Sequence, residues 1–184
     1  KIDDNKKLNN LLKKIKPDEI YHLAAQIYVD NLKKPKKRKS TMKINYSFTK
    51  SIVKSIRKNN IKPKFFFAGT SEMFGTNLKK KFNEKTKFRP ESPYGKSKVA
   101  SYKFIKNFRL KYNMHLSTGI LFNHESPKKD KSFVLRKISS SVAKIKTGLQ
   151  SKIFLGDIKS KRDWGHAKDF VRAMWLICQQ KKPD

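Results

Sequence analysis

Tyr94-Gly-Lys-Ser-Lys98 is the stretch in which residue type and spacing most directly offer chemistry. On a helix, a tyrosine and a lysine four apart project from the same face. A phenol titrates near ~10 in water, and a neighbouring ammonium favours the phenolate, drawing that value toward the working range. A phenol so placed could take a proton from an alcohol. A lysine-rich helix also yields this spacing by chance, so the pair gains meaning only from its surroundings. The nearest surroundings are Thr70-Ser-Glu72, which bring a hydroxyl and a carboxylate directly after an apolar run. Thr70 could alternatively cap the end of that run.

The elements that position these groups are legible from periodicity. Lys64 to Gly69 holds three consecutive phenylalanines and reads as a buried strand, so Thr70 and Glu72 leave its C-terminal end. A long polar loop with Gly75 and Pro90 runs from Thr70 to Ser92, and ligands of open α/β sheets bind at such ends. Ser92 as N-cap and Pro93 at the first helical position start a long helix through Tyr94, Val99, Tyr102, Ile105 and Phe108.

Upstream, Leu8, Leu11, Leu12 and Ile15 predict a helix from Asp4 to Ile15 closed by Pro17. Glu19 to Ala25 predicts a strand buried on both faces, central in a parallel sheet. Ile44, Phe48, Ile52 and Ile56 mark an amphipathic helix. Downstream, Leu116 to Phe122 predicts a strand, and Phe133 to Ile145 a helix with Val134, Ile138, Val142 and Ile145 inward. Ile153 to Leu155 is at most a short strand, and His166 to Gln180 a helix carrying Phe170, Val171, Met174, Trp175 and Ile177. The alternation predicts an α/β fold built on a doubly wound parallel sheet.

With 184 residues the chain is long enough for one domain with a core, although its hydrophobic share of 36% is low. Lys and Arg total 46 against 14 acidic residues, a formal net charge of +32. That balance raises nucleic acid or an anionic membrane as partners. The lysines are nevertheless spread over every element, with small clusters at Lys33 to Lys39 and Lys79 to Lys81, as on a solvated surface. No aromatic-basic motif accompanies the charge, so no nucleic-acid partner is expected, while a polyanionic small ligand would benefit from it.

Cys178 is the only cysteine, which excludes an internal disulfide and reads as a buried thiol beside Leu176 and Ile177. Four histidines and one cysteine make no metal-ligand cluster. No run reaches the ~18 apolar residues of a membrane span, and Lys1-Ile-Asp-Asp4 is not signal-like. A soluble, cytoplasmic protein without membrane contact is expected.

Ser92-Pro-Tyr-Gly-Lys-Ser-Lys98, preceded by Thr70-Ser-Glu-Met-Phe-Gly75, resembles the extended short-chain dehydrogenases, which act on sugar nucleotides. An acid two residues after the threonine, here Glu72, resembles the dehydratases of that group; the related epimerases generally lack it. Gly119-Ile-Leu-Phe-Asn-His-Glu-Ser-Pro127, Phe133-Val-Leu-Arg-Lys-Ile138 and Arg162-Asp-Trp-Gly-His-Ala-Lys-Asp169 resemble the GDP-mannose 4,6-dehydratase family nearly word for word. The likeness extends from about Asp4 to the last residue.

The resemblance implies a mechanism. Tyr94 deprotonates the mannosyl C4 hydroxyl while hydride passes from C4 to the nicotinamide of NADP. Thr70 hydrogen-bonds the C4 oxygen, and Lys98 shifts Tyr94 and holds the nicotinamide ribose. Glu72 then removes the C5 proton of the 4-keto sugar, water leaves C6, and hydride returns there. GDP-mannose becomes GDP-4-keto-6-deoxymannose without net oxidation.

By the same resemblance Leu23, Ala24, Ala25 and Gln26 form the strand end along the cofactor, where small side chains allow close approach. His124 matches a cofactor-side position, although an imidazole between Asn123 and Glu125 could be a hydrogen-bonded structural group. Lys128-Lys129 stands where the family has paired arginines near the adenosine phosphate, so Lys129 keeps the charge without the bidentate geometry. Asn123, Val134, Lys137 and Arg162 fall at positions that contact the GDP-sugar. A diphosphate needs cations such as Lys137 and Arg162, though either could be a solvated or ion-paired charge, and Val134 could be plain core.

The chain also departs from the family. Its seven glycines, at 69, 75, 95, 119, 148, 156 and 165, never take the spacing G-x-x-G-x-x-G that a dinucleotide pyrophosphate needs. Ile27 follows Gln26 where the family usually has serine, and the basic loop from Lys33 to Lys43 is longer than usual. We therefore expect residues 1–184 to be a single partial NAD(P)-binding, Rossmann-like domain, with 123–184 beginning the substrate-binding elements. The first βα unit and much of the C-terminal substrate domain are expected to be missing. Such a piece would be inactive alone and belong to a homo-oligomeric enzyme, a dimer or tetramer. The rivals are another sugar-nucleotide dehydratase or epimerase and a basic nucleic-acid-binding module.

Overall fold

The structure, a computed structural model, describes residues 5–26, 41–75 and 81–184. Ile27, the basic loop from Lys33 as far as residue 40, and the Lys79–Lys80 pair lie outside the described residues. The chain forms two compact units, Lys1–Leu121 with Ala173–Asp184, and Phe122–Arg172.

In the first unit, α1 (Asn5–Ile15) stops where Lys16 takes a left-handed φ of 47° ahead of Pro17. Strands β1 (Glu19–His22), β2 (Lys64–Thr70) and β3 (Leu116–Leu121) form one parallel sheet in that order. The register sets Ile20 beside Phe65, His22 beside Phe67, Phe65 beside Leu116 and Thr70 beside Leu121. Successive strand side chains face opposite ways, which is why three consecutive phenylalanines serve two layers. Phe65 and Phe67 join Leu12, Ile52, Val53, Ile56, Ile105 and Leu116 under the helices, while Phe66 meets Tyr21 on the other face. Burying each such ring is worth about 1.5–3 kcal/mol.

The covering helices are α1, α2 (Phe48–Lys58), which continues a π-helical turn at Lys43–Ser47, and α3 (Pro93–Tyr112). On the Phe66 face lies the C-terminal part of α5 (Ala167–Gln179), with Met174 and Cys178 buried. It is tied down by polar contacts. Lys64 Nζ donates to Gln179 Oε1 at 2.7 Å, Gln179 Nε2 to Glu19 Oε1 at 2.6 Å, and the Tyr21 hydroxyl to Glu19 Oε2 at 2.7 Å. Helices on both faces of a short parallel sheet make an incomplete, doubly wound, Rossmann-like α/β fold.

Three sequence expectations are corrected here. The Glu19–Ala25 strand ends at His22 and is the edge, not the centre, of the described sheet, so Leu23 is 53% exposed. The most buried stripe of the second helix is Asn45, Thr49, Ile52 and Ile56, while Ile44 is only half-buried and Phe48, also half-buried, packs against the core and on His22. In the second unit, α4 (Val134–Lys146) leaves Val134, Val142 and Ile145 exposed rather than inward, since no described element of that unit packs over them. Val171 and Trp175 of α5 are also exposed. The second unit adds a parallel pair that periodicity missed, β4 (Asn123–Glu125) with β5 (Trp164–His166), each three residues long. Ile153 to Leu155 forms no strand. Among the described residues no helix is long and apolar enough to cross a membrane.

Candidate active site

At the C-terminal end of β2, Thr70 caps a 3-10 turn, Ser71–Phe74: its Oγ1 accepts the Glu72 amide at 3.4 Å. Gly75 leaves the turn at φ 88°, a conformation glycine adopts without strain. The returning loop is held by Arg89 N donating to Met73 O at 3.0 Å and by aromatic packing of Phe74 on Phe82 and Phe88, and of Phe88 on Tyr102. A polar loop is thereby anchored on α3 without regular secondary structure.

Helix α3 begins as the sequence predicts. Ser92 Oγ accepts the Gly95 amide at 2.9 Å, Pro93 follows, and Ser92 also donates to Glu72 Oε2 at 2.6 Å. The turn and the helix start touch through backbone, for a Cβ on Gly95 would lie 2.7 Å from the Glu72 carbonyl oxygen. Glycine is required by space at that point.

Tyr94 and Lys98 share a face, with Lys98 Nζ 5.6 Å from the Tyr94 ring centroid and 4.7 Å from that of Phe67. Lys98 is 2% exposed, and its ammonium donates to the Ala68 carbonyl at 2.7 Å. Burial pulls its pKa down to about 8. Tyr94 feels both Glu72 and the Thr70 hydroxyl, so Thr70, Glu72, Tyr94 and Lys98 meet around one spot. The direction of the phenol's shift corrects the sequence reading: burial first, and the Glu72 charge second, push it up to about 12, while hydrogen bonding with Thr70 opposes them. The desolvated phenolate loses more than the Thr70 hydrogen bond returns.

Behind this group stands a polar cluster that sequence reasoning passed over. Asn45, 2% exposed on the π turn, accepts the Gln26 amide through Oδ1 at 2.8 Å and donates to Gln26 O at 3.2 Å and Ser97 Oγ at 3.0 Å. It thus ties the strand end Leu23–Gln26 to the helix turn between Tyr94 and Lys98. The Thr49 hydroxyl donates to Asn45 O, so the remaining bond at 2.8 Å makes His22 Nε2 a donor to Thr49. His22 is a neutral, buried structural histidine, its pKa lowered to about 4 by burial and then by the Lys98 charge. The signal available in sequence was two polar residues, Asn45 and Thr49, continuing the stripe of Ile52 and Ile56.

In the second unit, Asn123 and His124 lie on β4, and His124 Nδ1 meets Phe122 O at 2.9 Å and its ring packs on Phe170. Lys129 Nζ donates to His124 O at 3.2 Å, lies 3.8 Å from Glu125 Oε1 and sits over the Phe133 ring. Val134 opens α4, and Lys137 Nζ one turn later donates to Phe154 O. Arg162 is exposed ahead of β5, its guanidinium donating to Lys161 O. Among the described residues no three His, Cys, Asp or Glu side chains group as metal ligands.

Comparison with known proteins completes the picture. The family model for GDP-mannose 4,6 dehydratase matches residues 1–184. GDP-mannose 4,6 dehydratase 1 of Arabidopsis thaliana is 43% identical over 188 residues, covering 100% of this chain and 51% of the relative. GDP-mannose 4,6-dehydratase of Yersinia enterocolitica is 40% identical, covering 100% and 49%. The chain therefore spans about half the length of the curated relatives it matches. Among solved structures, RMD from Pseudomonas aeruginosa complexed with NADPH superposes with a TM-score of 0.89 at 23% identity, over 99% of this chain and 62% of that one. UDP-N-acetylglucosamine 4-epimerase from Methanobrevibacter ruminantium gives 0.81 at 25%, over 96% and 55%. With the family model matched from end to end and the Thr70, Glu72, Tyr94 and Lys98 cluster at the sheet's C-terminal edge, the chain belongs to the GDP-mannose 4,6 dehydratase family.

Proposed function

We propose that the protein carrying this chain converts GDP-mannose to GDP-4-keto-6-deoxymannose with NADP as a resident cofactor. The observation that carries the reading is Glu72 beside Tyr94: a phenol alone serves oxidation and reduction, and a carboxylate at the same spot adds a base for elimination. Another sugar-nucleotide epimerase would leave Glu72 without a task.

The residues present fit the nicotinamide half of such a cofactor. Ala24 and Ala25 follow β1 with minimal side chains, and Lys98 offers a buried ammonium. Lys129 and His124 would serve the adenosine side, and the glycine-rich cradle for the pyrophosphate is not among these residues. When bound, NADP supplies the hydride acceptor for C4 and donor for C6.

Tyr94 takes the proton of the C4 hydroxyl, Thr70 hydrogen-bonds the same oxygen, and the Lys98 charge counters the burial that resists phenolate. The ketone acidifies C5–H, and Glu72 removes that proton as hydroxide leaves C6 with a returned proton. Asn123, Val134, Lys137 and Arg162 are assigned to the GDP-mannosyl group, the two cations to the diphosphate. We further infer a homo-oligomer in a cytoplasmic setting, the latter because the one cysteine is free and buried.

Supplying the intact protein with GDP-mannose and NADP and detecting the 4-keto-6-deoxy product tests the reading. Glu72→Gln should lower kcat about 10²- to 10³-fold. Normal turnover by that variant would remove Glu72 from the role of base.

A further inference from the structure

One hydroxyl, that of Ser92, joins the helix cap to the acid. Its lone pair takes the Gly95 N–H at 2.9 Å and its only proton goes to Glu72 Oε2 at 2.6 Å, so the two bonds do not compete. A bond this short to a carboxylate is of the charge-assisted kind, and the amide behind the hydroxyl polarises it further.

The serine itself has little freedom. Its torsions, φ −73° and ψ 150°, are those that a following proline imposes. Glu72 is held on the other side, by the Thr70 hydroxyl at its amide and by close backbone contact with Gly95. The remaining freedom of the carboxyl group lies in its own torsions, and Ser92 restrains those. Among the described residues no hydrogen bond engages Oε1.

We propose that Ser92 is a positioning residue for Glu72, holding Oε2 so that Oε1 faces the C5 hydrogen of the sugar. The proposal rests on the reading of Glu72 as the base for C5. Proton removal at C5 depends on it, whereas substrate binding and the fold depend on it little, because Gly is nearly as good an N-cap as Ser.

The test uses the intact protein with GDP-mannose and NADP and the variants Ser92→Gly, Ser92→Thr, Glu72→Gln and the double variant S92G/E72Q. S92G should lower kcat about 10- to 100-fold, with KM and melting temperature close to wild type and solvent-deuterium entry at C5 slowed by the same factor. S92T, which restores the hydroxyl, should recover most of the rate. Because Ser92 acts through Glu72, the double variant should be no slower than E72Q alone. Wild-type kcat in S92G, or an S92G penalty of equal size in the E72Q background, would overturn the proposal. A wild-type protein that leaves GDP-mannose unchanged overturns the functional reading and this proposal together; unaffected S92G in an active enzyme overturns this one only.

Discussion

A lysine ammonium hydrogen-bonded to the Ala68 carbonyl and shut from water carries a cost in stability. Its folded pKa of about 8 lies below the ordinary 10.5. The unfolded chain therefore binds the proton more tightly, and at pH 7 this group disfavours folding by about 3 kcal/mol. Lys98→Met should abolish turnover and raise unfolding free energy by about 1–3 kcal/mol, part of the gain being offset by the unpaired carbonyl. Denaturant titration at pH 7 and pH 10 checks the sign, since the advantage should shrink as pH rises through about 8 and beyond. Tyr94 follows the same rule from the acid side: burial and then the Glu72 charge hold it protonated, so both oppose the proposed role as base.

At the scale of elements, the active cluster is a junction between a 3-10 turn and a helix start. Gly95 permits it. Gly95→Ala would set a methyl against the Glu72 carbonyl and crowd Pro90 and Ser92 Oγ, each at 3.2 Å. Alanine is the better helix former by about 1 kcal/mol, so propensity alone predicts stabilisation. The expected outcome is the opposite: stability unchanged or lower and kcat reduced about 10-fold or more as the turn is pushed away. Thermal melts read beside steady-state rates decide between the two. The π turn at Lys43–Ser47 is the other such device, spending helix regularity to aim Asn45 at Gln26 and Ser97.

For the molecule as a whole, His22 couples the core to pH. It is buried under the helices, and its pKa of about 4 lies below the ordinary 6.5 because of burial and then Lys98. Between those values the unfolded state holds the proton and the folded state does not, so stability falls as pH drops from about 6.5 to about 4, by up to about 3 kcal/mol. Urea unfolding at pH 7 and pH 4.5 should show the loss, and His22→Asn should flatten this part of the profile. A profile for His22→Asn as steep as the wild type's would assign the acid sensitivity to other groups. The spread of net charge, +32 over the chain, adds repulsion that salt screens.

The sequence by itself determined the strand Lys64–Gly69, the helix started by Ser92 and Pro93, and the pairing of Tyr94 with Lys98, because burial of a phenylalanine run, capping and helical spacing are local. It also pointed to the family through Thr70, Glu72 and the later motifs. Tertiary structure decided what depends on neighbours. Tyr94's direction of titration came from burial and from Glu72, which is distant in the chain. The short β4–β5 pair came from which strands found partners, and the Asn45 hub from a π turn that no periodicity announces. The Ser92 bond to Glu72 spans twenty residues, and only folding the aromatic loop back onto α3 makes it possible.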